Sequence, residues 1–339
     1  MSLHVAVDAR FAVLDERGIG RYARAVIREL LRAPDVRLSF VIPGIAAFVR
    51  RRRVAARLGV GLRQVVARVP RDANVVFHPS NGTELRAAVP HVTMVHDATP
   101  FAFPASDARV RGREQRPFLR TAERASVVLV QSSFTASEVE RWLAIPPDRI
   151  VVAPLGRDPI FAPGVARLPA ALQGRRFVLH VGAHDERKNT AVLIDAYEAA
   201  FPDGDPAIVF THRPPRMPGG AIVLDRPADG MLVELYRGAT IVAVPSTYEG
   251  FGLPLLEALA CGSCALAARA GALPEVGGDA CAYVDAPHDA AAWTVALRRL
   301  ASDDAARAAI SAAGPPRAAQ FTWERCAAIT LGALRSAAR

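Results

Sequence analysis

The chain has 339 residues, of which 51% are hydrophobic and 22% charged, a composition that excludes a disordered or fibrous protein and favours two ordinary α/β domains. It carries 42 basic and 33 acidic residues, a formal net charge of +9, which is compatible with nucleic acid, anionic lipid or a nucleotide diphosphate as a partner. Aromatic residues make up only 6% of the chain, and no basic stretch is interleaved with them, so a nucleic-acid stacking surface is disfavoured.

The sequence carries no signal for an oxidising compartment or for a bilayer. Its apolar runs stay below the roughly 20 residues of a spanning helix, and Met1–Arg10 lacks a basic stretch followed by an apolar segment. Four cysteines are too few for a disulfide framework. We therefore expect a cytoplasmic protein.

The first half of the chain alternates short apolar runs with helical patterns. Apolar residues at helical spacing predict helices over Arg21–Arg32 and Ala46–Leu58, and a glycine-containing turn over Arg17–Gly20 precedes the first of them. The predicted strands are His4–Val7, Leu38–Ile42, Val75–His78, Val92–Val95 and Val127–Val130. Strands separated by helices indicate βαβ units and a parallel sheet.

Prolines and glycines concentrated in residues 156–174 predict a linker, after which the same pattern restarts. The predicted strands are Phe177–Val181, Ala207–Thr211, Ala221–Leu224 and Thr240–Val244, and the predicted helices are Thr190–Ala200, Leu232–Arg237, Pro254–Ala260 and Ala290–Ala312. We predict two Rossmann-like doubly wound domains. Ligands of such sheets bind at the carboxyl ends of the strands, so we expect the site in a central cleft between the domains.

The segment Pro245–Gly262 is the most informative part of the sequence. A strand ends at Pro245, a loop with two glycines follows, and Pro254 suits the first turn of a helix. A helix N-terminus attracts phosphate through its unpaired N–H groups and its dipole. Glu249 in the loop and Glu257 in the first helical turn would then accept hydrogen bonds from sugar hydroxyls on either side of that phosphate. The alternative is an ordinary helix-capping loop whose acids are favoured by the dipole.

The pattern Pro-Ser-x-Tyr-Glu-Gly-Phe-Gly-Leu-Pro-x-Leu-Glu-Ala-x-Ala-Cys-Gly in this segment resembles the signature of the retaining glycosyltransferases of family four, which have the GT-B fold. Further matching segments extend the resemblance over nearly the whole chain: Gly18–Tyr22, His96–Asp97, Val130–Thr135, Val181–Gly182, Arg187–Asn189, Ala272–Val276 and Phe321–Arg325. The resemblance implies an acceptor domain over residues 1–155, a linker over 156–174 and a nucleotide-sugar domain over 175–315. Residues 316–339 would form a helix that crosses back to the first domain.

The resemblance also implies roles for single residues. Glu257 would accept the ribose hydroxyls of the donor, Glu249 would hold the donor sugar, and Lys188 with Arg187 would neutralise the diphosphate. Lys188 is the only lysine in an arginine-rich chain, as if a compact ammonium were required there. The remaining donor-binding residues would be Gly18, Gly20, Gly182, Gly250, Phe251, Gly252 and Leu253.

His96 has two interpretations. In the family a histidine at such a strand end points at the donor sugar, which would make His96 catalytic together with Lys188 and Glu249. It is otherwise a structural histidine in a strand-to-loop turn. The sequence also departs from the family: Ala183 follows Gly182 where many relatives carry arginine, and His212 follows the Ala207–Thr211 strand where a glycine is usual.

Three further motifs each have a structural interpretation beside a functional one. Asp203 and Asp205 match a metal-binding pair of other glycosyltransferases, but the flanking prolines indicate an exposed turn. Cys261 and Cys264 lack the second close pair of a zinc site, so we expect them to pack in the core. Arg50–Arg53 forms a basic patch that is either a solvated helix face or a surface for anionic lipid head groups.

We therefore predict a retaining, metal-independent hexosyltransferase that needs no cofactor. It would move a hexose from a nucleoside-diphosphate sugar to a saccharide or lipid-linked acceptor, in O-antigen or exopolysaccharide assembly, with GDP-mannose as the first candidate donor and no nucleic-acid partner. It would be cytoplasmic, with peripheral contact at the inner face of the membrane as the further expectation. The alternatives are a nucleotide-sugar epimerase of similar fold, and a non-catalytic protein that binds a nucleotide-sugar or nucleic acid.

Overall fold

The computed structural model describes residues 2–10, 15, 18–44, 46–183 and 185–339. Within them the chain forms two compact units, one of residues 2–156 with 322–339 and the other of residues 157–321. Each unit is built on a parallel sheet, and the prediction of two Rossmann-like doubly wound sheets is confirmed.

In the described residues the first unit contains seven strands in the order β3-β2-β1-β4-β5-β6-β7. The strands are β1 (Leu3–Asp8), β2 (Val36–Val41), β3 (Val65–Val66), β4 (Val75–His78), β5 (His91–Val95), β6 (Val127–Val130) and β7 (Ile150–Val152). The helices that connect them are α1 (Gly18–Leu30), α2 (Ala46–Leu58), α3 (Thr99–Ala102), α4 (Ala108–Arg124) and α5 (Ser133–Leu143). The strand order reverses between β1 and β4, as in doubly wound sheets.

The second unit has six parallel strands in the order β10-β9-β8-β11-β12-β13 in its described part. They are β8 (Phe177–His180), β9 (Ala207–Phe210), β10 (Ala221–Val223), β11 (Ile241–Val244), β12 (Ala265–Ala268) and β13 (Ala282–Val284). The helices are α6 (Thr190–Ala200), α7 (Asp229–Gly238), α8 (Leu253–Ala260), α9 (Leu273–Gly277), α10 (Ala290–Ser302) and α11 (Asp304–Ala318). A final helix, α12 (Trp323–Ala337), belongs to the first unit.

Two predicted elements differ from the structure. Gly18 and Gly20 were expected in a turn, but they form the first turn of α1, where Gly20 is buried; Arg17 lies outside the described residues. The expected single helix over Ala290–Ala312 is two helices, because Asp303 leaves helical geometry after α10 and its carboxylate accepts a hydrogen bond from Ala306 N at 2.8 Å. A capping aspartate starts a new helix at that point.

Residues 157–174, predicted as a linker, lie in the second unit and pack on α7. Phe161 is fully buried, and its ring contacts Tyr236 in a T-shaped arrangement at 5.9 Å. Arg237 Nε donates to the Ala162 carbonyl at 2.9 Å. This proline-rich segment is therefore fixed against the helix that precedes β11.

Candidate active site

The loop between β11 and α8 forms the framework of the candidate site. Gly252 immediately precedes α8 with φ of +97°, in the left-handed region that favours glycine, and a Cβ there would lie 2.6 Å from Leu273 Cδ2. Pro254 occupies the first turn, as predicted, and no side chain in the described structure caps this helix end. The positive end of the helix dipole is thus presented by backbone alone, the arrangement that binds phosphate.

Gly271 holds the loop in place, and sequence reasoning did not single it out. Its φ is +57°, and a Cβ at this position would lie 2.8 Å from Glu249 N and 2.9 Å from Glu249 O. The neighbouring Ala272 N donates to the Glu249 carbonyl at 2.9 Å. A glycine directly before the Ala272–Val276 motif was the available signal, but this close approach is visible only in three dimensions.

Lys188, Arg187 and Glu249 form a charged cluster in the second unit. Lys188 Nζ donates to Glu249 Oε1, and Arg187 Nη1 lies 3.6 Å from Glu249 Oε2. Lys188 and Glu249 are 9% and 8% exposed, so water screens their interaction weakly. The structure therefore brings together the two predicted phosphate cations and the predicted sugar-binding carboxylate.

The charge of Glu249 is maintained by its neighbours. Burial alone raises the pKa of this carboxyl, but the charges of Lys188 and Arg187, with hydrogen bonds from Lys188 and Ser246, lower it below its ordinary value. Two cations beside one carboxylate leave one surplus positive charge. The half-exposed Asp185 carboxylate, 3.4 Å from Arg187 Nη2, balances part of it.

Hydrogen bonds fix the Lys188 loop against the Glu249 loop. Asp185 Oδ1 accepts from Lys188 N at 3.2 Å and starts a short 3-10 turn over Glu186–Lys188. Thr247 N donates to the Arg187 carbonyl at 2.8 Å, and Arg187 Nη1 donates to the Tyr248 carbonyl at 3.3 Å. The carboxyl ends of β8 and β11 are thereby joined at the charged cluster.

Gly182 lies beside the Lys188 side chain. Its φ is +133°, its N–H donates to Thr211 Oγ1 at 3.1 Å, and a Cβ there would lie 3.7 Å from Lys188 Cε. The departures from the family flank this region: Ala183 is exposed, and His212 follows the end of β9.

Glu257 is the fifth residue of α8, so it begins the second turn rather than lying in the first turn as predicted. It is 5% exposed, and the Tyr236 hydroxyl donates to its Oε2 at 2.9 Å. Gly250 and Phe251 are also buried, and the Phe251 ring meets Phe321 edge-on at 5.6 Å. Tyr236 was not singled out from the sequence, because nothing in its local pattern indicates this contact.

The other predicted site residues belong to the first unit. Gly18 and Gly20 open α1. His96 follows β5 and is 6% exposed; its Nδ1 lies 3.2 Å from Gln131 Oε1 and its Nε2 lies 3.1 Å from the Pro79 carbonyl. Burial lowers its pKa, and a neutral imidazole has one N–H for these two acceptors. Within its own unit, His96 has the contacts of a structural histidine.

The aspartate pair, the cysteine pair and the arginine patch lie in the turn, core and helix in which the sequence places them. Asp203 and Asp205 are exposed in the turn before β9, at the amino edge of the sheet. Cys261 and Cys264 are buried, and burial raises the pKa of their thiols to about 12 and about 11. Arg50, Arg52 and Arg53 are exposed on α2.

Two doubly wound parallel units are the domain architecture of the GT-B glycosyltransferases. The second unit carries a lysine–glutamate pair at strand ends beside a helix N-terminus without a side-chain cap, as expected for that class. The family described as Glycosyltransferase Family 4 matches residues 17–161, and that described as Glycosyl transferases group 1 matches residues 221–317. A curated relative, O-antigen chain mannosyltransferase B of Escherichia coli, is 30% identical over 370 aligned residues that cover 94% of this chain and 96% of the relative. The chain belongs to the family-four, or group 1, glycosyltransferases.

A second curated relative agrees with this placement in sequence, and a solved structure agrees in fold. MMP alpha-(1->4)-mannosyltransferase of Mycolicibacterium hassiacum is 30% identical over 234 residues, which cover 64% of this chain and 56% of the relative. The crystal structure of WaaG, a glycosyltransferase involved in lipopolysaccharide biosynthesis, matches with a TM-score of 0.69 at 16% identity, over 97% of this chain and all of that one (100%). The chain is thus a glycosyltransferase related to mannosyltransferases.

Proposed function

We propose that the protein transfers a hexose, with mannose as the first candidate, from a nucleoside-diphosphate sugar to a saccharide or lipid-linked saccharide, with retention at the anomeric carbon. GDP-mannose is the favoured donor, and O-antigen or exopolysaccharide assembly is the favoured setting. The similarity to an O-antigen chain mannosyltransferase over almost the full length of both chains supports this choice.

The observation that carries the proposal is the buried Lys188–Glu249 pair, with Arg187 beside it, at the carboxyl ends of β8 and β11. A diphosphate placed between these cations and the start of α8 meets positive charge from side chains and from backbone dipoles. Glu249 then accepts hydroxyls of the donor sugar, and Glu257 accepts those of the ribose. Backbone N–H groups of Gly250, Phe251, Gly252 and Leu253 line the same loop.

The proposed mechanism is electrostatic. As the bond to the anomeric carbon breaks, negative charge grows on the leaving diphosphate, and Lys188 with the α8 N-terminus stabilises it. The acceptor attacks the face from which the diphosphate departs, and a diphosphate oxygen takes the acceptor proton. His96 remains a candidate to contact the donor sugar.

Metal-independent transfer is part of the proposal. Lys188, Arg187 and the helix dipole supply the positive charge that a divalent cation supplies elsewhere. Asp203 and Asp205 precede β9, whereas the charged cluster follows β8, and these parallel strands place the two at opposite edges of one sheet. We expect transfer to persist in EDTA; complete loss that manganese restores would contradict the proposal.

Kinetics of two variants test the site. Lys188→Ala should lower kcat by roughly 100- to 1,000-fold, the loss typical of one electrostatic contact to a developing charge. Glu257→Ala should mainly raise the KM for the donor, because ribose hydroxyls are equally present in ground and transition states. Arg216→Ala, which removes an exposed cation paired with Asp195 and Glu198, is the control and should leave both parameters unchanged.

Melting curves of each variant separate catalytic loss from unfolding. If Lys188→Ala folds and turns over at a near-normal rate, the diphosphate lies elsewhere. Assays with and without an added saccharide acceptor distinguish transfer from epimerisation and from binding alone. A thermal-shift panel of nucleoside-diphosphate sugars identifies the donor.

The basic surface on α2 supports a lipid-linked acceptor. Arg50, Arg52 and Arg53 are exposed, and the nearby Leu62 is 46% exposed, with its carbonyl accepting from Arg51 at 2.7 Å. None of the helices in the described part of the chain combines the length and apolar character needed to span a bilayer. Co-sedimentation with vesicles containing phosphatidylglycerol, but not with purely zwitterionic vesicles, is the expected result. Equal binding of an Arg50→Ala/Arg52→Ala/Arg53→Ala variant would contradict this role.

A further inference from the structure

The buried hydroxyl of Tyr236 has a charged partner. It donates to Glu257 Oε2 at 2.9 Å, and the tyrosine is fully buried on α7. An ionised carboxylate only accepts hydrogen bonds, so the phenol is the donor. Hydrogen bonds to an ionised acceptor are about twice as strong as neutral ones.

Several contacts fix Tyr236 itself. Ser263 Oγ donates to the Tyr236 carbonyl at 2.7 Å, so α7 is tied to the chain that follows α8. The Tyr236 ring packs edge-on against the buried Phe161 at 5.9 Å. The next residue, Arg237, holds the Ala162 carbonyl with its Nε at 2.9 Å. The phenol is therefore a rigid donor whose position is set by two neighbouring segments.

We propose that Tyr236 is a positioning residue for recognition of the donor ribose, an inference that rests on the proposed function. With Oε2 of Glu257 held, rotation of the carboxylate is fixed, and the direction of Oε1 is fixed with it. The Glu257 carboxylate is therefore already oriented toward the two vicinal hydroxyls of the ribose before the nucleotide binds. Binding then costs no further side-chain rotational entropy at Glu257. Tyr236 affects the nucleotide only through Glu257.

The test compares nucleotides that differ only in those hydroxyls. Binding of GDP and of 2′,3′-dideoxy-GDP is measured by calorimetry for the wild type and for Tyr236→Phe, which removes the hydroxyl and keeps the ring on Phe161. We expect GDP to bind about 5- to 20-fold more weakly to the variant, about 1–2 kcal/mol, and dideoxy-GDP to bind equally to both proteins. If the wild type prefers uracil nucleotides, the same comparison is made with UDP and 2′,3′-dideoxy-UDP.

The chain offers a matched control. Tyr197 is also a buried helical tyrosine of the second unit, 1% exposed, whose hydroxyl donates to the Pro206 carbonyl at 2.9 Å. Tyr197→Phe removes an equivalent buried hydrogen bond at the amino end of β9 and should bind both nucleotides like the wild type. Weakening of GDP and dideoxy-GDP by the same factor in Tyr236→Phe would assign Tyr236 a purely structural role and overturn the inference.

A double variant tests whether Tyr236 acts only through Glu257. In a Glu257→Ala background the tyrosine has lost this acceptor, so adding Tyr236→Phe should not weaken GDP binding further. A further loss there would also overturn the inference. If the wild type binds no nucleoside diphosphate at all, the proposed function fails instead, and the two failures are thereby distinguished.

Discussion

Asp8 is a strongly stabilised carboxylate of the first unit. It is 6% exposed at the end of β1, and Arg10 donates to both of its oxygens, at 2.9 Å to Oδ1 and 2.6 Å to Oδ2. His78 Nδ1 lies 3.2 Å from Oδ2. Burial raises the pKa of Asp8, but its hydrogen bonds and the nearby charges outweigh burial and lower the pKa to about 2.

This shift predicts an acid-dependent contribution to stability. Because the pKa falls from 3.8 to about 2 on folding, the ionised carboxylate stabilises the fold fully above about pH 5, and the contribution is lost as pH falls toward 2. A pKa lowered from 3.8 to about 2 corresponds to a contribution of about 2 kcal/mol to the free energy of unfolding. Asp8→Asn should therefore lower the free energy of unfolding at pH 7 by about that amount and flatten its pH dependence between about pH 5 and about pH 2.

Urea unfolding at several pH values measures both effects. The control is Asp72→Asn, because Asp72 pairs with Arg37 in an exposed position and exposed ion pairs contribute little. An Asp8→Asn protein that keeps the wild-type acid dependence would show that other carboxylates dominate acid unfolding.

At the level of single residues, the sequence predicted what local chemistry determines. Gly252 and Pro254 mark a left-handed residue and a helix start, so the α8 N-terminus and Glu249 in its loop followed from the sequence. Tyr236 and Gly271 act through contacts 21 and 22 residues away, and no local pattern encodes such contacts. His96 was identified as a strand-end residue, but its partners Gln131 and Pro79 come from packing.

At the level of elements, local propensity failed where tertiary packing prevailed. β12 (Ala265–Ala268) consists of three alanines and a leucine and was not predicted, because alanine is depleted in strands. It forms because it pairs with β11 and β13 and is buried throughout. The α10–α11 break was missed for the opposite reason: the alanine-rich periodicity continues through it, and only Asp303 interrupts it.

The α11 cap gives an element-scale prediction. Asp303→Ala removes the hydrogen bond from Ala306 N at 2.8 Å and should destabilise the protein by about 1 kcal/mol. Asp285→Ala removes the same charge from an exposed pair with Arg269 and should change stability much less. Thermal melting of both variants measures the difference. Equal melting temperatures would mean that packing of α11 on its neighbours makes the cap dispensable.

At the scale of the molecule, the chain passes between the two units twice, after Gly156 and before Thr322. The two connecting segments are hydrogen-bonded to each other, because Arg157 N donates to the Phe321 carbonyl at 3.0 Å. Beyond the second passage, Thr322 caps α12 through a hydrogen bond from Arg325 N at 3.1 Å. Cys326 Sγ donates to the Ala153 carbonyl at 3.7 Å, and Arg335 reaches Asp35 at 2.7 Å. The C-terminal helix is thus part of the first unit's structure.

Gly156 controls how α12 begins. A Cβ at this position would lie 2.2 Å from Trp323 N and 2.5 Å from Thr322 C, and these backbone atoms cannot move without displacing the start of the helix. Gly156→Ala should therefore destabilise the protein by about 1–3 kcal/mol and expose the C-terminal segment to limited proteolysis. Gly332→Ala is the matched change within α12, at a site where an added Cβ meets nothing within 4 Å. It should stabilise the helix by about 0.5–1 kcal/mol. Melting temperatures that move in opposite directions, with early C-terminal cleavage in Gly156→Ala alone, are the expected result. An unchanged melting temperature for Gly156→Ala would mean that the chain accommodates a side chain where the backbones meet, and that α12 does not depend on this contact.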